Sequence, residues 1–309
     1  MKQNAKKGFI VLCVLVAVAA VSLIHPLRTR SASTRESRQP PAHKKGTIAE
    51  LHITGVITEA GQTYNQKWLM DTIAELTEDS RNRAIMLYID SPGGAVYEAD
   101  EVYLALLKYK AKTSRPVYAY MAHMATSGGY YIACAADKIF ANRNTLTGSI
   151  GVLFSGSVDA TGLLDKLGIK SETFHSGKNK NMLNYNEPLT NEQRAIMQSV
   201  ADEAYAQFTG IVSESRALPL SEVQSLADGR IYTAQQALKN GLIDSVCQKE
   251  EAYELLKRDF ALTGASVKEY SYEEDNFLRS LLLGSARTAI KGALLSLSGK
   301  LDLSALPRM

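Results

Sequence analysis

The chain has 309 residues, 45% of them hydrophobic and 22% charged, with a net charge of +3. That length can bury a substantial core in one or two domains, the balance is that of a globular protein rather than a disordered one, and the small charge gives no call for a nucleic-acid partner. Cys13, Cys134 and Cys247 are too few and too scattered for a disulfide framework or a zinc site, so no metal and no other cofactor is expected. Cys13 and Cys134 lie in apolar stretches and read as small buried side chains.

In chain order, a basic start (Lys2, Lys6, Lys7) precedes an apolar run from Phe9 to Ile24 that is broken only by Ser22. As a helix this run spans about 24 Å, or roughly 30 Å with Gly8 and His25–Leu27, which is borderline for crossing a bilayer. A retained anchor and a cleaved signal peptide both suit it. Ala17-Val18-Ala19 lies inside the run rather than after it, which favours an anchor over residues 1–27. Arg28, Arg30, Arg35 and Arg38 follow the run, so flanking charge does not decide the orientation, and an exported domain is compatible with it. Residues 28–45 are rich in Ser, Arg and Pro and read as a flexible linker.

The folded domain is expected over 46–270. Thr47–Thr58 alternates and is rich in β-branched residues, as a strand requires. Trp68–Leu76 has helical spacing, and Ala84–Asp90 is a continuous apolar strand of the kind buried on both faces. Ser91-Pro92-Gly93-Gly94 ends that strand, and Ala95–Lys110 resumes a helical period. Pro116–Met121 reads as a strand, Ser127–Ala136 as a helix, Lys138–Ala141 as a short strand and Leu146–Phe154 as a glycine-interrupted one. Helices are expected at Thr161–Leu167, Asn191–Ser215, Leu220–Leu226 and Thr233–Asn240. Strands alternating with helices imply an α/β fold with a largely parallel sheet. The last segment, 271–309, contains the apolar and basic Phe277–Leu297, suited to a packed tail, an oligomer contact or an interfacial membrane helix.

Two glycine turns carry the chemistry. Asp90-Ser91-Pro92-Gly93-Gly94 and Ser127-Gly128-Gly129 each follow a strand and precede a helix, the edge of an α/β sheet where active sites assemble. A backbone N–H from each turn could form an oxyanion hole, since glycine permits close approach. Ser127 alone would more often be a helix cap than a nucleophile. Placed beside a second glycine turn, it becomes a candidate for acyl transfer.

These residues resemble the signal peptide peptidase A (SppA) type of membrane-bound serine peptidase, in the Clp protease/crotonase superfamily. The resemblance rests on Tyr-Ile-Asp-Ser-Pro-Gly-Gly (88–94), Met-Ala-Thr-Ser-Gly-Gly-Tyr-Tyr-Ile (124–132) and Ala-Ala-Asp-Lys-Ile-Phe-Ala (135–141). It continues through Leu-Thr-Gly-Ser-Ile-Gly-Val (146–152), Asp-Lys-Leu-Gly-Ile (165–169), Ser-Gly-Lys-Asn-Lys (176–180) and Ala-Asp-Gly-Arg-Ile-Tyr (227–232). It implies a Clp/crotonase-like fold of repeated ββα units behind one N-terminal transmembrane helix. It also implies a Ser–Lys dyad, with Ser127 as nucleophile, Lys180 as general base, Ser149 holding the lysine amine, and the N–H groups of Gly94 and Gly128 as the oxyanion hole. Lys178 is the rival base, and matching the segment after Ser176-Gly177 favours Lys180. A Clp-type Ser–His–Asp site would carry a histidine downstream of its serine, yet there is none between His123 and His175. Those two histidines read as surface or packing residues.

The implied activity is endopeptidase cleavage of remnant signal peptides and other apolar peptides. It would take place at a bacterial cell membrane, with a single-pass anchor in the lipid and the catalytic domain on the extracytoplasmic side, in a ring- or dome-like homo-oligomer. A crotonase-like acyl-CoA hydratase or isomerase shares the two turns but leaves Ser127, Lys180 and the apolar run unexplained. A catalytically silent membrane scaffold is the third reading.

Overall fold

The computed structural model describes residues 46–154 and 158–273. The expected anchor, the linker and the Phe277–Leu297 segment lie outside them. Among the described residues no helix is long and apolar enough to cross a membrane.

The first half of the domain alternates strand and helix: β1 (Thr47–Thr54), α1 (Gln66–Glu78), β2 (Asn82–Ser91), α2 (Val96–Thr113), β3 (Val117–Thr126), α3 (Gly128–Ala133), β4 (Lys138–Ala141) and β5 (Leu146–Gly148). There follow α4 (Thr161–Lys166), α5 (Asn191–Arg216), α6 (Leu220–Leu226), β6 (Ile231–Thr233), α7 (Ala234–Lys239), β7 (Ser245–Val246), α8 (Lys249–Asp259) and β8 (Ser266–Tyr270). The sheet order is β6-β5-β3-β2-β1-β8, with β4 joining β3 to β7. Every pairing is parallel except β5 with β6. This is the α/β architecture expected from the alternation. Outside the named strands, isolated bridges join Ile57 to Gly94 in parallel and Ala60 to Asn65 antiparallel.

The continuous apolar run of β2 is explained by burial on both faces. Ile85, Leu87 and Ile89 enter a large core with Leu69, Ile73, Val102, Leu106 and Ile132. Ala84 and Met86 enter a second core with Tyr118, Phe140, Tyr253 and Leu256, under α8. The period-2 geometry of a strand sends alternate residues to opposite faces, so a strand covered by helices on both sides has no polar face to show.

Several boundaries differ from expectation; β1, for one, ends at Thr54 rather than Thr58. β3 runs five residues past Met121, directly into Ser127. β5 stops at Gly148, where the backbone leaves the extended region, Gly148 and Ser149 taking φ 80° and 52°. β6, β7, α8 and β8 have no counterpart in the sequence reading. The three strands among them are short, and β8 is largely exposed, so none has an apolar alternation to betray it.

Candidate active site

The site begins with an irregularity in β3. The strand pairs Ile89 with Met121, then Ser91 with Ala125, so Asp90 faces a bulge at Ala122–Met124. At the same place β3 changes partner, from β4 (through Met121) to β5 (from Met124). The Asp90 carboxylate fills the bulge, accepting from Met124 N at 3.3 Å and lying 2.8 Å from His123 Nδ1. A bulge bends and twists its strand, which re-aims the side chains that follow. Here those are Thr126 and Ser127.

Ser127 stands at φ 51°, ψ −121°, a conformation that costs a residue with a Cβ about 1–3 kcal/mol. Its amide is tied to Gly148 O at 2.8 Å and its carbonyl to Tyr131 N at 2.9 Å. Its hydroxyl does not cap α3. The cap reading is therefore not what the geometry uses, and the half-buried Oγ has no hydrogen-bond partner among the described residues.

The two glycine turns meet here. A Cβ on Gly93 would fall 2.7 Å from Ser127 Cβ and 2.8 Å from Gly128 N, and one on Gly128 would fall 3.3 Å from Gly94 N. Only glycines allow that approach. Gly93 O accepts from Ile57 N, and Ala95 N donates to Ile57 O, both at 2.9 Å. In a trans peptide the carbonyl and the following N–H point in opposite directions, so the Gly94 N–H points away from Ile57. Neither Gly94 N–H nor Gly128 N–H has an acceptor among the described residues. Two unpaired donors beside a free hydroxyl are the elements of an oxyanion site.

Ser149 is one residue beyond the Gly148 carbonyl that holds Ser127. It is half-buried, also has positive φ, and is fixed by Ser149 N donating to Arg230 O at 2.8 Å. A pocket opens beside Ser127, walled by Val96, Ala99, Tyr131, Val152, Ala204 and Phe208. Its α5 wall is pinned by polar contacts: Tyr131 OH donates to Asp100 Oδ1 at 2.6 Å, and Gln207 Nε2 donates to Tyr131 OH at 2.7 Å. Burial, reinforced by Asp100, pushes the Tyr131 phenol above its ordinary value, so it stays a proton donor.

Lys180 makes no hydrogen bond to Ser127 among the described residues. It sits exposed in the 170–190 loop, its ammonium forms no hydrogen bond or ion pair among the described residues, and it does not line the pocket. Lys178 is exposed and paired with Glu192. His123 is exposed and paired with Asp90, and His175 is exposed with Nδ1 3.2 Å from Gly177 O, as surface residues would be. Burial pushes the Cys134 thiol up to about 12, which removes it as a nucleophile. Glu50, His52 and Glu269 can each offer a ligand atom within 4.8 Å of one another. Lys249 at 3.0 Å and the Tyr253 hydroxyl already occupy the Glu50 carboxylate, so the group fits an ion-pair network better than a metal.

The sequence reading missed Asp90 and Thr126 as parts of the site. Both lie inside the quoted motifs, but their roles depend on a bulge and on a contact between two strands, which no local pattern encodes.

With the geometry in view, comparison with known proteins is direct. A model of peptidase family S49 matches residues 109–263. The chain is 36% identical over 256 residues to the "Putative signal peptide peptidase SppA" of Enterococcus faecium, covering 81% of this chain and 74% of that one. It is 34% identical over 207 residues to the chloroplastic serine protease SPPA of Arabidopsis thaliana, covering 67% of this chain and 30% of that one. It is 31% identical over 219 residues to Protease 4 of Salmonella typhi, covering 70% and 35% respectively. The chain thus belongs to peptidase family S49 and is an SppA-like serine peptidase.

Proposed function

We propose that the chain is a membrane-anchored endopeptidase that uses Ser127 as nucleophile, Lys180 as general base and the N–H groups of Gly94 and Gly128 as oxyanion hole, with Ser149 steadying the lysine amine. The observation that carries this is the unpartnered Ser127 hydroxyl, held at a strained turn beside two unpartnered N–H groups. Ser127 attacks the scissile carbonyl, the base takes the hydroxyl proton, and the two N–H groups receive the oxyanion. The protonated lysine then gives that proton to the leaving amine as the C–N bond breaks, and, neutral again, it takes a proton from the water that hydrolyses the acyl-enzyme. The apolar pocket suits apolar side chains of modest size, because Ala99 and Ala204 form part of its wall. Remnant signal peptides have that character, and the apolar run at Phe9–Ile24 would keep the enzyme beside them. The mixed α/β sheet and its paired glycine turns support a Clp/crotonase-like fold.

Lys180 reaches Ser127, on this reading, from a neighbouring copy in a homo-oligomer. From 151 to 207 no described residue is buried, and Leu163, Leu167, Ile169 and Phe174 are exposed there. So much apolar surface without a core of its own favours a partner surface. A lysine base acts only when neutral, whereas free lysine titrates near ~10.4, and burial between copies is the means of lowering it.

The test uses the full chain, a fluorophosphonate probe and a fluorogenic apolar peptide. Probe labelling is expected in the wild type and lost in Ser127→Ala. Turnover is expected to be abolished by Lys180→Ala, retained by Lys178→Ala, and restored in part when Ser127→Ala and Lys180→Ala subunits are assembled together. The rate is expected to rise with pH above neutrality. A rate independent of pH between about 5 and 9, with chemistry limiting, rules out the lysine base. Absence of labelling in the wild type would leave the silent scaffold as the better reading.

A further inference from the structure

The oxyanion site depends on two separate turns staying in register, and one side-chain hydrogen bond joins them. Thr126, the residue before Ser127, is 4% exposed. Its Oγ1 donates to Pro92 O at 2.9 Å, across the gap between β3 and the turn that presents Gly94. Asp90 also meets β3, at Met124 N and His123 on the bulge, but the Thr126 bond is the one made by the residue next to Ser127.

The other tethers of the Gly94 turn lead elsewhere. Ser91, fully buried, donates through Oγ to Gly55 O at 2.6 Å and accepts from Gly93 N at 3.1 Å. Gly93 O and Ala95 N are held by Ile57. These contacts orient the Gly93–Gly94 peptide relative to the chain following β1, not relative to Ser127. Gly93 lies at φ 95°, a backbone region open to glycine, so the turn is built from a residue that resists rotation least. What sets the distance from the Gly94 N–H to Ser127 is then the Ser91–Ala125 end of the β2–β3 ladder, the Asp90 contacts at the bulge and, nearest to Ser127, the Thr126–Pro92 bond. The ladder is already displaced at this point by the bulge opposite Asp90.

We propose that Thr126 is a positioning residue for the reaction. By donating to Pro92 O, its hydroxyl holds the Gly94 donor where the oxyanion forms. This rests on the assignment of Ser127 as nucleophile and Gly94 as an oxyanion donor. Thr126 touches neither substrate nor reacting atoms in this role. Its contribution lies in the transition state, since oxyanion donors bind the developing charge more strongly than the ground-state carbonyl. The alternative is that the bond merely satisfies a buried hydroxyl.

The experiment compares Thr126→Val, which keeps the side-chain shape and removes the donor, with Thr126→Ser, which keeps the donor. Both are made in the full chain and assayed with a fluorogenic apolar peptide, a fluorophosphonate probe and a thermal melt. A misplacement near 1 Å costs on the order of 100-fold. Thr126→Val is therefore expected to lose about 10- to 100-fold in kcat with KM within about 2-fold, and to slow labelling in parallel. Thr126→Ser is expected to restore most of kcat. Wild-type kcat in a folded Thr126→Val, or a Thr126→Ser as impaired as Thr126→Val, overturns the proposal. If Thr126→Val is recovered unfolded, Thr126→Ala replaces it and is read in the same way against Thr126→Ser. A Ser127→Ala control separates the two layers. If it still turns over and is labelled, the nucleophile assignment fails. If it is dead while Thr126→Val is normal, only the positioning role fails.

Discussion

Ser127→Gly should make the protein more stable while destroying its activity. Ser127 occupies φ 51°, ψ −121°, a region that costs a residue with a Cβ about 1–3 kcal/mol and a glycine almost nothing. Its hydroxyl has no hydrogen bond to lose among the described residues, and the side chain is only half-buried. Against the relieved strain stands the added freedom of glycine in the unfolded chain, about 0.5–1 kcal/mol relative to alanine. Ser127→Ala keeps the strain and should match the wild type. Ser127→Gly should exceed both by roughly 1 kcal/mol, or about 2–4 °C in Tm for a domain of this size. Equilibrium denaturation with urea checks this, with the slope required to stay constant so that midpoints report stability alone. A Ser127→Gly midpoint at or below that of Ser127→Ala would refute the strain. The turn would then have to be explained as a relaxed loop rather than one held under load for a nucleophile.

Two further outcomes follow from the same coordinates. A Cβ at Gly94 would overlap the Ile57 carbonyl, whereas one at Gly128 meets its neighbours at 3.3–3.4 Å; Gly94→Ala should therefore lose about 10²–10³ in kcat, as loss of an oxyanion donor does, and Gly128→Ala less, with peptide hydrolysis ranking the two. Glu50 is 4% exposed; burial raises its carboxyl, but hydrogen bonds from His52, Tyr253 and Lys249 outweigh that and bring it from 4.5 down to about 2. A carboxyl depressed on folding contributes stability that is complete above the unfolded value and lost as pH falls through the folded one. Denaturation midpoints should accordingly fall between pH 4.5 and about 2, by an amount on the order of 3 kcal/mol, and Glu50→Gln should flatten that limb; an unchanged acid limb would refute it.

Much of the fold was legible because its signals are local. β2 announces itself by an unbroken apolar run, α1 and α2 by helical spacing, and the turns at Ser91–Gly94 and Ser127–Gly129 by their glycines. β8 was not legible, since an exposed five-residue strand is defined by its partner β1 and by no pattern of its own. The end of β3 was misjudged for a similar reason: beyond Met121 the strand continues by exchanging β4 for β5. Leu146–Phe154 looked continuous because nothing in its composition reports the positive φ at Ser149.

The sequence by itself determined what stands at the two turns: Ser127 between a strand and a helix, and glycines where a Cβ would obstruct. Those are properties of residue type and short spacing. Tertiary structure decided what those residues do. It turned the Gly94 N–H away from Ile57 and set it beside Gly128, placed Asp90 in the β3 bulge, and joined Thr126 to Pro92. It also left Lys180 exposed, with no hydrogen bond or ion pair among the described residues. Each of these depends on which strands pair and where their register slips. Hydrogen-bond direction and separation between segments more than thirty residues apart arise only when the sheet has assembled.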